Sequence, residues 1–369
     1  MPVAAIHAAV LTKGLNGRAP CVYATQCTRG CSSRSNFQST TVLIPEAFAT
    51  GNLTIVTNAL VQRVDVDAEG KATGVTYIDR QAGTQHSVEA RNVILGAGSF
   101  STVRILLNSR SASWPSGIGN ASGLLGKYIM DSVEYTMQAR IPALGFVPPQ
   151  NDDGIFTPHI YVPWWLHREQ EEGKLNFARG YHIEPRGGRR LPTVAVGGYV
   201  DDTDPLYGDA LRRQIQRRYG SYAFLSGEGE MIPNEETYCE LDPGSTDQWG
   251  FPALRFHWKW GQQEINQATH MHATFSRIFH RLGGTIVSGD PLVMPPGGSA
   301  IHEVGGARMG TSPADSVLDS FGQCWNAGNL FVLDGASFAS SPDKNPTLTI
   351  LALAWRGATR IAQLHRGQA

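Results

Sequence analysis

Arg91-Asn92-Val93-Ile94-Leu95-Gly96-Ala97-Gly98-Ser99-Phe100-Ser101-Thr102-Val103-Arg104-Ile105-Leu106-Leu107-Asn108-Ser109 is the stretch whose pattern decides the fold. An apolar run, Val93 to Leu95, ends on two glycines around an alanine, and from Ser101 to Ser109 the residues Val103, Leu106 and Leu107 keep helical spacing. That order predicts a strand, a tight turn and a helix. In such a unit the backbone N–H groups at the start of the helix can face a ribose or phosphate. The spacing Gly96-x-Gly98-x-x-Ser101 lacks the third Gly or Ala of a dinucleotide fingerprint, and no acidic residue closes a following strand about 20 positions on. Taken alone, the turn is open between a nucleotide site and an ordinary strand-to-helix connection.

Upstream, Leu53 to Val56, Leu60 to Val66, Gly74 to Ile78 and Ser87 to Leu95 alternate as strands do, with Asp67, Gly70 and Gly83 between them. This predicts a β-meander running into the apolar strand. Downstream, Leu330 to Leu333 predicts a strand, followed by a small-residue turn and a helix from Pro346 to about Leu364. From Asp131 to Pro295 the texture changes to loops, scattered strands and aromatics such as Trp164, Trp165, Tyr181, Trp258 and Trp260. The clearest helix lies there, Gln262 to Leu282, with Ile265, Ala268, Met271, Phe275, Ile278 and Leu282 on one face. His270 and His272 stand two apart on it and point in different directions, which argues against a metal pair. The expected class is mixed α/β (α+β). One domain comprises residues 1–130 and 296–369, around the meander and the strand–turn–helix; the other comprises 131–295, a substrate-facing domain on an antiparallel sheet.

With 31 Lys plus Arg against 32 Asp plus Glu, the chain offers no basic field for nucleic acid and no polybasic membrane patch, so a small neutral or weakly charged substrate fits better. No apolar run approaches the ~18 residues of a membrane span. Met1-Pro2-Val3-Ala4-Ala5 lacks the charged and apolar regions of a signal peptide, so the expectation is a soluble protein, cytoplasmic or periplasmic. Five cysteines are too few for a disulfide scaffold, and Cys21, Cys27 and Cys31 crowd into one short segment, which points to a local site. Their spacing suits a disulfide plus a thiol, a zinc site wanting a fourth ligand, or an iron–sulfur cluster. Cys239 and Cys324 stand alone and read as small core residues.

The stretch richest in chemistry is His302-Glu303-Val304-Gly305-Gly306-Ala307-Arg308-Met309-Gly310, followed by Val332-Leu333-Asp334-Gly335-Ala336-Ser337 and Asn345-Pro346-Thr347-Leu348-Thr349-Ile350. His302 and Glu303 do not form a zinc HExxH, because the second histidine is missing. Locally, Asp334 suits a cap and Asn345 suits an N-cap before Pro346, which tolerates the first helical position because it has no N–H to leave unpaired. In order and spacing the three pieces resemble the C-terminal signature of the glucose-methanol-choline (GMC) oxidoreductase family. Arg91 to Ser109 and Gly123-Leu124-Leu125-Gly126-Lys127-Tyr128-Ile129-Met130-Asp131 resemble its middle segments, and residues 140 to 250 carry little likeness.

The resemblance implies an FAD-dependent oxidation of a sugar or related alcohol, with hydride passing from carbon to flavin N5. It makes His302 the base, a task suited to an imidazole of ordinary pKa about 6.5, and gives Asn345 a hydrogen bond to the substrate oxygen. Cofactor contacts would come from Val61 near the adenine, from the turn Gly96, Ala97 and Gly98, and from Asp334 and Gly335 at the ribityl-phosphate region. Pro346 and Thr347 would open a helix whose positive end faces the flavin pyrimidine edge. Cys21, Cys27 and Cys31 resemble the three-cysteine segment of GMC dehydrogenases that carry a three-iron cluster, which implies an external acceptor such as a cytochrome and a possible small subunit. The family's glycine-rich nucleotide motif lies well upstream of that segment. The expected FAD-binding domain is therefore incomplete and Rossmann-like, with an exposed sheet edge prone to aggregation, and the chain by itself is expected to hold FAD weakly or not at all. Two alternatives stand beside this: a truncated, non-catalytic piece that binds carbohydrate or a partner chain, and an oxygen-using oxidase in which the cysteines carry no electrons. Trp164, Trp165, Trp258 and Trp260 suit either a sugar face or the core.

Overall fold

The computed structural model describes residues 1–24, 27, 30–148, 160–187 and 207–366. Parts of the expected second domain, 149–159 and 188–206, lie outside the described residues. In chain order the elements are β1 (Ala4–Ala5), α1 (Ser39–Ala49), β2 (Ala59–Val66), β3 (Ala72–Asp79), β4 (Gln85–Glu89), β5 (Val93–Leu95) and α2 (Ser99–Asn108). Next come β6 (Val133–Arg140), β7 (Ile160–Tyr161), α3 (His167–Glu171), β8 (Tyr181–Gly187), α4 (Gly208–Arg218), β9 (Tyr222–Gly229), β10 (Tyr238–Thr246) and β11 (Pro252–His257). The last are α5 (Gln262–Arg281), β12 (Thr285–Ser288), β13 (Gln323–Cys324), β14 (Ala327–Val332) and α6 (Thr347–Arg366). They fall into two compact units.

One unit holds residues 56–133, 229–265 and 295–369. Its meander β2-β3-β4 is antiparallel, with Val64 opposite Val75 and Thr76 opposite Ser87. On β3 the buried residues Ala72, Thr76 and Ile78 keep the period of two that a half-buried strand requires. Strand β5 pairs in parallel with β14, Val93 opposite Leu330 and Leu95 opposite Val332. Helix α2 packs Val103, Leu106 and Leu107 into the same core as Val93, Leu95, Leu330 and Val332, each such side chain contributing about 1.5–3 kcal/mol by burial.

Two expectations need correction here. Residues 53–56 form no strand, and the run from Ser87 to Leu95 is broken at 90–92. The break has a side-chain cause: Asn329 donates from Nδ2 to the carbonyls of Ala72 (2.6 Å) and Arg91 (2.8 Å) and accepts the Ala72 N–H on Oδ1 (3.1 Å). A side chain satisfies the backbone where the ladder stops, so the chain can leave the meander and enter the parallel pair.

The other unit holds residues 1–55, 134–228 and 266–294. Its sheet runs β12-β6-β9-β8. Tyr135, Met137 and Ala139 alternate along β6 and join Tyr181 and Ile183 of β8 in a core with Met271, Phe275 and Phe279, spaced four apart on α5. The predicted helix over residues 262–282 thus coincides with α5 to within a residue.

The compact units cut the chain differently from the expected domain boundaries, for local reasons. The N-terminal segment joins the second unit, where β1 pairs with β7 (Ala4 opposite Tyr161). Residues 229–265 join the first, where Cys239 N–H donates to Gly126 O (2.8 Å) and Phe251 packs in the core. The tryptophans serve packing. Trp164 is buried among Trp165, Phe177 and Tyr181, Trp258 lies against the core of its unit, and Trp260 donates to Pro295 O (2.8 Å). Cys239 and Cys324 are buried core residues, as expected.

Candidate active site

Two backbone segments build the seat of His302. Met130 and Val304 form an antiparallel bridge through hydrogen bonds of 2.8 and 2.9 Å, and Gly126 N–H donates to Gly306 O (2.7 Å). The approach demands glycine. Gly305 has φ +88°, and a Cβ on it would lie 2.3 Å from Tyr128 O; Gly306 has φ +93°, and its Cβ would lie 2.7 Å from Val103 Cγ2. The glycines after His302 therefore let its strand close onto residues 126–130.

On that seat the imidazole is bracketed. His302 Nε2 lies 2.7 Å from Asn345 Nδ2, and His302 Nδ1 lies 3.2 Å from Ser132 Oγ. The His302 backbone N–H donates to Asp131 Oδ1 (2.9 Å). Asp131 is fully buried; burial pushes its carboxyl up to about 6, against the opposing pull of the backbone N–H groups that it accepts from His302, Ala300 and Ser132. Asn345 is exposed and His302 half-buried, so their meeting point reaches the surface. A hydroxyl placed there accepts from the amide of Asn345 and donates to the imidazole, which is the contact that proton removal from an alcohol requires.

Of the other expected cofactor residues, Gly96, Ala97, Gly98, Asp334 and Gly335 lie at the carboxyl ends of the parallel pair, where α/β sheets bind ligands. Gly96, Ala97 and Gly98 form an exposed turn after β5. Asp334, after β14, is buried and pins that turn: Oδ2 accepts Gly98 N–H (3.0 Å) and the Thr102 hydroxyl (2.5 Å), while Oδ1 caps Ala336 N–H (2.9 Å). Gly335 is required inside the molecule, since a Cβ there would lie 2.8 Å from Ser99 Oγ and 3.1 Å from Glu303 O. Its carbonyl accepts Gly305 N–H (2.8 Å), which ties the turn to the strand of His302. Pro346 is buried and Thr347 opens α6 exposed, while Val61 sits half-buried on β2 opposite Tyr77. A cavity of about 500 Å³ in the same unit is lined by Glu230, Met309, Phe338, Ser341, Thr349 and Leu353.

Comparison with known proteins decides the family. The N- and C-terminal family models of the GMC oxidoreductases match residues 4–131 and 233–354. This chain belongs to the GMC oxidoreductase family. It is similar to the 2-methyl-1,2-propanediol dehydrogenase of Mycolicibacterium austroafricanum, 30% identical over 96% of this chain and 62% of that protein. It is also similar to the fructose dehydrogenase large subunit of Gluconobacter japonicus, 26% identical over 83% of this chain and 53% of that protein. Among solved structures, the formate oxidase of Aspergillus oryzae RIB40, whose FAD is subject to modification, shares the fold at TM-score 0.59 and 15% identity, over 86% of this chain and 62% of that one. The chain thus spans 53–62% of the length of these three proteins.

Elsewhere in this GMC chain, Cys21, Cys27 and Cys31 line one small pocket with Ser33 and Ser35. Residues 25, 26, 28 and 29, between them, are outside the described residues. Burial pushes the Cys31 thiol up, but the Asn36 N–H, Ser33 and Ser35 outweigh it and hold Cys31 at about 7; burial, with Cys21 and Cys31 nearby, raises Cys27. In the other part of the same unit, His182 and Glu184 alternate on β8 and meet Glu228 of β9, all buried, with one ligating atom from each within 4.8 Å of the others. His182, 3.5 Å away, and then Arg186, bonded at 2.7 Å, outweigh burial and hold Glu184 at about 2; burial pushes Glu228 up to about 7. Within this cluster Arg186 forms an ion pair with Glu184.

His270 and His272 diverge as the helical spacing implies, His270 to the Tyr181 hydroxyl (2.8 Å) and His272 to Asp290 (3.0 Å). Two residues of the His302 site escaped the sequence reading. Asp131 closed a recognised segment but carried no assigned role, and Ser132 followed it unremarked; neither has a local signal that it reaches a histidine 170 positions away.

Proposed function

We propose that this GMC oxidoreductase chain carries the base and the substrate side of an FAD-dependent dehydrogenase that oxidises a sugar or related alcohol at a CH–OH carbon. The observation that carries the reading is the 2.7 Å contact between His302 Nε2 and Asn345 Nδ2 where the pair reaches the surface. Asn345 holds the substrate oxygen by donation from its amide, and His302 removes the hydroxyl proton at Nε2. The C–H bond then releases a hydride, leaving a carbonyl. FAD, when bound, supplies the acceptor for that hydride.

The residues present suit FAD. The turn Gly96–Gly98 is exposed, a Cβ at Gly96 or Gly98 would meet nothing within 4 Å, and Asp334 fixes the turn from behind. Gly96, Ala97 and Gly98 would approach the cofactor through their backbone, and the start of α6 at Thr347 would offer its positive end. Three thiols around one pocket suit a three-cysteine iron–sulfur cluster, held by Cys21, Cys27 and Cys31, which would pass electrons to an external acceptor such as a cytochrome. The sugar preference and a possible small subunit draw support from the likeness to the fructose dehydrogenase large subunit.

The test is turnover of a panel of sugars and small diols, with a dye acceptor and with oxygen, by the FAD-loaded chain and its His302→Ala variant. Oxidation lost in the variant supports the reading. Oxidation undiminished in the variant removes His302 from the reaction.

A further inference from the structure

A neutral imidazole carries one proton on two nitrogens, and only the nitrogen without it can act as base. For His302 to take a proton at Nε2, its own proton must sit on Nδ1, and the partner of Nδ1 decides this. That partner is the buried Ser132, whose Oγ lies 3.2 Å away and is able to accept an Nδ1–H, just as its hydroxyl is able to donate to a bare Nδ1. The same arrangement leaves the Nε2 lone pair facing the Asn345 amide, a donor, at 2.7 Å.

The position of both partners traces to one carboxylate. Asp131 Oδ1 accepts the backbone N–H of Ser132 (2.8 Å) and of His302 (2.9 Å), and Oδ2 accepts that of Ala300 (2.9 Å). Between Ala300 and His302 stands Ile301, a β-branched residue in the left-handed region at φ +58° with its side chain 78% exposed. A β-branched residue avoids that region, and no buried contact of its own side chain holds it there. Asp131 holds the N–H groups on both sides of this residue.

We propose that Asp131 and Ser132 are positioning residues for His302: Ser132 selects the tautomer with the proton on Nδ1, and Asp131 fixes the backbone of histidine and serine against each other. The inference rests on the reading of His302 as base, but it is tested without substrate or FAD.

The experiment is two-bond proton–nitrogen NMR of the full chain labelled with ring-¹⁵N histidine, the His302 signals being those that vanish in His302→Ala. The wild-type protein should show His302 protonated on Nδ1. Ser132→Ala should lower the ratio of that tautomer to the other by about fivefold or more, roughly what one hydrogen bond is worth, while Ser132→Thr keeps the wild-type ratio. Asp131→Asn, which exchanges an acceptor oxygen for a donor, should lower it as well. Circular dichroism identifies folded variants, and if Ser132→Ala does not fold, Ser132→Cys, a weaker acceptor of similar size, takes its place under the same expectation. An unchanged ratio in the folded Ala or Cys variant, or a changed one in the Thr variant, overturns the role of Ser132; an unchanged ratio in Asp131→Asn overturns that of Asp131. Loss of alcohol oxidation as the proposed reaction would leave these ratios untouched, so the two readings fail separately.

Discussion

Chemistry at His302 depends on single atoms, and so do the sharpest expectations. Replacing His302 by Ala should lower kcat by about 10²–10⁴-fold, the usual worth of a positioned base. Replacing the exposed Asn345 by Ala should cost about 10²-fold with little change in thermal stability, because the side chain lies outside the core and its proposed partner is the substrate oxygen. Both are read from steady-state rates beside melting curves. Away from the site, Glu228 should make stability depend on pH. Burial raises it to about 7, so the native state binds this proton more tightly than the unfolded chain, whose glutamates titrate near 4.3. The stabilising contribution is complete below about pH 4.3 and is lost as pH rises through about 7, a change of order 3–4 kcal/mol. The difference in urea stability between wild type and Glu228→Gln isolates this group from its neighbour Glu184. It should turn against the wild type between pH 5 and pH 8, and a constant difference would show that Glu228 does not titrate in that window.

At the scale of elements, the glycines around the site divide by what a Cβ would strike. Gly305→Ala places a methyl 2.3 Å from Tyr128 O in a left-handed backbone, and overpacking of that kind costs about 1–3 kcal/mol. A lowered melting temperature with loss of turnover is expected, since the strand that carries His302 must move. Gly96→Ala meets nothing within 4 Å, so it should leave the melting temperature nearly unchanged and instead weaken FAD binding in a fluorescence titration. Equal melting losses for the two would contradict the packing described for Gly305. Elements also show where pattern suffices. The stripe of Met271, Phe275 and Phe279 marks α5 in the sequence because one helical face is buried against one sheet. The run from Ser87 to Leu95 looks like one strand, because nothing in its alternation reveals that Asn329, far along the chain, takes hold of Arg91 and divides it.

For the whole molecule, 31 Lys plus Arg against 32 Asp plus Glu leave the chain near neutral, and no helix among the described residues is long and apolar enough to cross a membrane. The dehydrogenase reading requires about three iron atoms per chain, with labile sulfide, lost together in Cys27→Ser. Iron-free protein that turns over sugar with oxygen would identify an oxidase instead. The family and the helix carrying Met271 and Phe275 were legible in the sequence, because short-range spacing survives in the order of residues. The glycines after His302 and the pair of His302 with Asn345 were legible only through family likeness. Tertiary structure alone decided that Asp131 and Ser132 hold His302, that Asp334 points inward to the turn at Gly98, and that residues 1–55 and 229–265 join the units they do. Those facts rest on hydrogen bonds and strand pairings between distant residues, and such contacts impose no period on the chain from which they could be read.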